Sequence, residues 1–160
     1  MVIRDACADD FGAIVALNER EVQQTSAMDL QRLHELARIS SYLKVAEIDG
    51  RVAAFLLAMR DGAPYQNDNY CWFGARFPQF LYVDRIVVGA DFAGQKVGSR
   101  LYEDLFSYAR SQGIKAITCE YNIEPPNPAS RRFHEKFGFT ELGRQWVAGG
   151  TKLVSLQARR

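Results

Sequence analysis

Two stretches of this 160-residue chain hold residue types at spacings that could do chemistry. The first, LYVDRIVVGADFAGQKVGSRLYEDL (81–105), runs from an apolar strand-like segment through a turn containing Gly94 and Gly98 into a helical pattern. Glycine lets main chain approach an anion closely, and the first turn of a helix leaves N–H groups unpaired at the positive end of its dipole. Residues Gln95 to Ser99 would supply such donors to a phosphate, and Lys96 would add charge. Packing alone also produces strand, glycine turn and helix in succession, so this segment by itself leaves an anion site and a purely structural turn both open. The second stretch, CEYNIEPPNPASRRFHEKFGF (119–139), places Glu120 in an apolar run and His134 in a short helical pattern behind three prolines. Within it, Asn127 ahead of Pro128 has the form of a helix N-cap.

These groups must be positioned by the elements around them. Val2 and Ile3 open a strand, and Asp9 and Asp10 precede a helix carrying Phe11, Ile14, Val15 and Leu17. A second helix is expected from about Asp29 to Ile39, with Leu30, Leu33, Leu36 and Ala37 on one face. Tyr42 to Ile48 and Arg51 to Met59 are β-prone runs joined by Asp49-Gly50, the pattern of a hairpin. From Arg60 to Gln79 the chain reads as a long loop, yet one rich in aromatic residues that need a burial partner or a ligand. A strand over Phe80 to Val88 follows, then a helix from about Val97 to Ser111 whose stripe is Leu101, Leu105, Phe106 and Ala109. Ile114 to Tyr121 is expected as a strand and residues up to Lys136 as a short helix, before final strands over about Phe139 to Val147 and Lys152 to Gln157. The order β-α-α-β-β-β-α-β-α-β-β predicts one α/β domain over residues 1–160 with helices packed on a mixed sheet.

Bulk composition excludes several functions. With 20 Lys and Arg against 19 Asp and Glu, the net charge of +1 gives no general attraction for nucleic acid. Cys7, Cys71 and Cys119 are widely spaced and odd in number, which argues for free thiols in a reducing compartment. His34 and His134 are the only histidines, and no cluster has metal-ligand spacing, so no metal is expected. No apolar stretch approaches membrane-spanning length, and cytoplasm is the default expectation.

Taken together, the two stretches resemble the GNAT superfamily of acyl-CoA N-acyltransferases, and the resemblance covers nearly the whole chain. Members have a phosphate loop of the form R/Q-x-x-G-x-G/A behind a strand ending in Val, which looks like Val88 followed by Ala93-Gly94-Gln95-Lys96-Val97-Gly98 and Leu101. Ala93 stands where Arg or Gln is usual and Lys96 where Gly is usual. The later pattern N-x-x-A-x-x-x-Y-x-K-x-G-F resembles Asn127 to Phe139, with Ser130 in the place of a small Ala and His134 in the place of the frequent Tyr.

That resemblance implies a sheet of six to seven strands splayed between the fourth and fifth, four flanking helices, and acetyl-CoA as co-substrate. It implies that Ile86, Val87 and Val88 offer main-chain groups to the pantetheine arm and the thioester carbonyl, with residues 93–99, Asn127, Ser130 and Arg131 holding the rest of the cofactor. Direct attack by the amine then needs a base and an acid. His134 is the expected acid, helped by an upward pKa shift, or else a cofactor contact. Asp84 and Glu120 are the candidate bases, Asp84 on the assumption that it shares a strand face with Ile86 and Val88; an Asp84–Arg85 ion pair is its alternative reading. Tyr82, Tyr70, Trp72 and Phe73 are expected at the acceptor pocket, where aromatic faces suit a cation, or else are simply buried. The acceptor is expected to be a primary amine of a small molecule, amino acid or peptide. The competing function is a non-catalytic acyl-CoA or small-ligand binding module of the same fold, and a homodimer stays open.

Overall fold

The computed structural model describes residues 1–22 and 25–160. In chain order the elements are β1 (Val2–Asp5), α1 (Phe11–Arg20), α2 (Leu30–Ile39), β2 (Tyr42–Ile48), β3 (Arg51–Arg60), α3 (Asp68–Gly74), β4 (Leu81–Val88), α4 (Val97–Ser111), β5 (Ile117–Glu124), α5 (Pro128–Lys136), β6 (Thr140–Val147) and β7 (Lys152–Arg159). Short 3-10 turns precede α1 and α4. The seven strands form one mixed sheet in the order β1-β2-β3-β4-β5-β7-β6, in which β4 and β5 are the parallel pair.

Local chemistry sets most boundaries. The Asp29 carboxylate accepts the Arg32 N–H at 2.7 Å and caps α2, a bond worth about 1 kcal/mol. Arg4 grips Asp10 in a fork at 2.7 and 2.9 Å, fixing β1 against the start of α1. Alternation along β3 sends Phe55, Leu57 and Met59 into a core under α1, α2 and α3. Ala54, Leu56 and Ala58 face a second core under α4.

One expectation fails inside residues 60–79, which hold α3. Asn67 accepts the Tyr70 N–H at 3.0 Å as its N-cap, and the turn then buries Asn69, Tyr70 and Phe73. Tyr70 and Phe73 are thus the inner face of a helix, and among the described residues the flanking helices number five. At the other end of the sheet β5 continues to Glu124, past the expected limit at Tyr121, because β7 pairs with it along its whole length.

Candidate functional site

β4 and β5 pair only through Leu81 with Ile117 and Tyr82 with Thr118, after which they part. Beyond that point β4 stays bound to β3, where Gly89 donates its N–H to the Ala53 carbonyl at 2.7 Å. The two-residue period of a strand then turns the Val87 N–H toward β3 and the main-chain groups of Ile86 and Val88 into the gap. A cavity of about 950 Å³ occupies that gap and runs through the sheet.

One end of the cavity is main chain. Gly94 and Lys96 adopt left-handed φ values of 81° and 59°, and Lys96 is the N-cap of α4. A Cβ on Gly98 would lie 3.4 Å from the Phe133 ring and 3.5 Å from Val88, so the helix start lies tightly against β4 and α5. The first-turn N–H groups of α4 have no partner within the helix. Asn127, Ser130 and His134 form the opposite wall. The Asn127 side-chain oxygen caps α5 by accepting the Ser130 N–H at 3.3 Å.

The other end is made of side chains. Its walls are the segment after α1, the start of α3, strands β4 and β5, and the turn between β6 and β7. Glu120 Oε1 accepts the Tyr82 hydroxyl at 2.8 Å, while Oε2 is sealed from solvent with no hydrogen bond. Burial above all, reinforced by the charge of Asp84, pushes the Glu120 carboxyl up to about 8, against smaller opposing effects of the Tyr82 hydroxyl, the Asn69 amide and Arg85. Gln145 holds Asn69 in place, donating to its side-chain oxygen at 2.8 Å.

Asp84 corrects the assumed strand geometry. The pairing of β3 with β4 slips so that Leu57 opposes Arg85 and Ala58 opposes Val83, leaving Asp84 as the extra residue of a bulge. The bulge breaks the period of two, so Asp84 does not share a face with Ile86 and Val88. It turns to the α1 side, accepts the Tyr65 hydroxyl, and pairs with the Arg85 guanidinium at 2.7 Å. Both side chains are almost wholly buried, at 3% and 4% exposure. Arg85 also donates to Asn18 at 3.1 Å, to the Ser26 carbonyl at 2.9 Å and to the Ser26 hydroxyl at 3.0 Å. The ion pair, one of the two alternatives for Asp84, is what forms.

His134 also departs from expectation. Its Nδ1 lies 2.7 Å from the Ser130 carbonyl, which can only accept, so the proton sits on Nδ1. Nε2, 2.6 Å from the Tyr102 hydroxyl, then accepts that O–H. Burial pushes the His134 pKa down, only partly offset by the Ser130 carbonyl, so the expected upward shift is reversed and the ring is neutral near pH 7.

Every proposed cofactor residue from Ile86 to Ser99, Gln95 excepted, lines the cavity, together with Asp84, Glu120, Asn127, Ser130 and His134. Arg131 does not; it lies on the exposed face of α5, paired with Glu135 at 2.9 Å. Tyr82, Tyr70, Trp72 and Phe73 are likewise absent from the lining. Tyr70 and Phe73 fill the core, where the Tyr70 hydroxyl serves the Arg60 carbonyl, and Trp72 covers Gly143 beneath the Arg76 guanidinium. Tyr82 reaches the site only through Glu120. Among residues the sequence reading missed, Tyr102 had a visible signal: a phenol four residues before Phe106 on a buried helix stripe needs a polar partner. Asn69, Asn18 and Ser26 gave none, since turn and helix residues of their type are common.

The acetyltransferase (GNAT) family profile matches residues 8–139. No curated protein matches the chain at a significant level. Among solved structures, Ard1 from Thermoplasma volcanium superposes with a TM-score of 0.80 at 17% identity, over 99% of this chain and 95% of that one. The ribosomal-protein-S18-alanine N-acetyltransferase from Escherichia coli gives 0.73 at 16% identity, over 98% and 91%. The ribosomal-protein-alanine N-acetyltransferase from Brucella melitensis gives 0.75 at 20%, over 99% of both chains. At these identities the likeness is one of fold. Among the described residues no group of three or more His, Cys, Asp or Glu could hold a metal, and no helix is long and apolar enough to cross a membrane.

Proposed function

Because the chain belongs to the acetyltransferase (GNAT) family, a class of acyl-CoA-dependent N-acyltransferases, we infer that it transfers an acetyl group from acetyl-CoA to a primary amine by direct attack. The observation that carries this reading is one cavity joining an unpaired strand edge and a glycine-bearing helix start to Glu120, whose Oε2 is buried without a hydrogen-bond partner.

The residues present fit the co-substrate. Ile86 and Val88 offer main-chain amide partners to an extended arm, as an added strand would. Gly94 and residues Lys96 to Ser99 would surround a diphosphate, where a left-handed turn and helix N–H groups converge. Bound there, the thioester would supply an activated acetyl carbonyl. The Val88 N–H faces the gap and is placed to stabilise negative charge developing on that carbonyl oxygen. Glu120 takes the proton from the incoming ammonium; a carboxylate near pKa 8 is matched to that task at neutral to mildly basic pH. The Tyr102 hydroxyl, held by His134 Nε2 on the opposite wall, gives its proton to the departing thiolate, and the phenolate left behind regains one from solvent once CoA leaves.

Thiol release from acetyl-CoA, followed over a panel of amines, tests the reading. Amine-dependent release that rises with pH through about 8 is the expected result. Stabilisation of the fold by CoA with no release for any amine would instead make the chain a binding module.

A further inference from the structure

We propose that the acceptor is a small dication of the diamine type with no carboxylate beside its reacting nitrogen. This rests on the acetyl-transfer reading and names the substrate class of that same site.

The first support is the state of the cations at the acceptor end. An α-carboxylate is best held by a guanidinium fork with two parallel N–H groups to offer. Arg85 already engages four of its five donors, one with Asp84 and three with Asn18 and Ser26. Only one N–H remains, which cannot form a fork. Lys152, the other cation at this end, donates from Nζ to the Thr25 carbonyl at 3.1 Å.

The second support is an excess of carboxylate. Glu21, Asp68, Asp84 and Glu120 face this end against Arg85 and Lys152, four acidic groups to two basic ones. Asp84 and Arg85 neutralise each other. Glu120 lies at the base with Oε2 buried and unpartnered. Glu21 and Asp68 sit exposed at the rim, and neither forms an ion pair among the described residues. A molecule that offers one amine to the unpartnered Glu120 Oε2 and a second, charged nitrogen to Glu21 and Asp68 at the rim fits both.

Size follows from the cavity itself, whose volume of about 950 Å³ must take the acyl-CoA arm as well as the acceptor and so suits a small amine. The bond between Lys152 and Thr25 joins two of its lining residues, one at the start of β7 and one beyond α1.

Calorimetry on the CoA-loaded protein tests the proposal with diaminobutane, butylamine, lysine and trialanine amide as probes. Diaminobutane should bind about three- to tenfold more tightly than butylamine, the effect expected of exposed, salt-screened charges. Lysine, a diamine one methylene longer that also carries a carboxylate, should bind about tenfold or more weakly than diaminobutane, because its carboxylate enters beside Glu21 and Asp68 with no free guanidinium fork to receive it. Substituting Glu21→Gln and Asp68→Asn together should reduce the diamine preference to about one; both side chains are exposed, so the fold is retained. Lysine or trialanine amide binding as well as diaminobutane, or a preference that survives the double substitution, would overturn the proposal. Thiol release is read in parallel. Diaminobutane bound in this pattern without release would sink acetyl transfer and leave the dication site standing. Release that is fastest with lysine would do the reverse.

Discussion

The two ends of the cavity are built from different material. At the proposed cofactor end the surface is made of main-chain groups of β4 and the first turn of α4, placed by strand parting and by two left-handed residues. At the proposed acceptor end it consists of side chains from beyond α1 and from α3, β4, β5 and the β6–β7 turn, locked by buried hydrogen bonds. A main-chain site tolerates most substitutions, because every residue carries the same N–H and C=O. A side-chain site changes its chemistry with each replacement. Ala93 and Lys96 can therefore depart from the family pattern without removing the N–H donors, whereas one change at Glu120 would remove the proposed base.

Glu120→Gln should give the largest effect: kcat/KM falls by about 10² to 10⁴, while CoA affinity, which depends on the other end, stays unchanged. The comparison breaks if turnover survives. A stability measurement sharpens it. Since the folded pKa of Glu120 is raised from 4.5 to about 8, the native state holds a proton that the unfolded chain releases earlier. Wild-type stability should therefore drop as pH rises from 4.5 towards 8, and urea midpoints of the Gln variant should lack that drop.

Gly98 tests the main-chain end with an effect of about tenfold or more on CoA affinity, or at least ~1.4 kcal/mol. An alanine Cβ there would make only ordinary contacts, at 3.4 and 3.5 Å. Gly98→Ala should therefore bind CoA nearly as well as wild type, while the branched side chain of Gly98→Val crowds Phe133, Val88 and the anion place together. Equal affinity in the Val variant, by calorimetry, would move the diphosphate elsewhere.

The same contrast explains what could be read in advance. Strand, glycine turn and helix are contiguous in sequence, so the segment from Leu81 to Leu105 disclosed its elements and which of its residues would meet at a cavity. The N-cap at Asn127 was equally local. Asn69 and Lys152 at the acceptor end, and Asn18 behind Arg85, are brought there by tertiary packing from distant parts of the chain, and nothing beside them in sequence marks them. Asp84 shows a subtler failure: a strand face was assigned by alternation, and one extra residue in β4 rotates everything behind it. Helix α3 escaped because seven residues are too few for periodicity to show, although Asn67 followed by Tyr70 and Phe73 was the available signal.

His134 gives the smallest and most discriminating effect, since its pH response has the opposite sign to that of Glu120. Its folded pKa lies below 6.5 because burial disfavours the charged ring. Stability linked to it is therefore present above 6.5 and is lost as pH falls, when the unfolded chain takes up the proton first. In His134→Gln, a side-chain amide can still donate to the Ser130 carbonyl and accept from Tyr102 but cannot titrate. Urea midpoints of this variant should therefore match wild type near neutral pH and fall less on acidification. Turnover is then the separate readout: a drop in kcat with unchanged CoA affinity assigns the ring to proton return, whereas unchanged kcat leaves it as the partner that orients Tyr102. A midpoint that declines in acid as steeply as in wild type would show that the ring is not held neutral, and the main-chain end would then carry a titrating charge of its own.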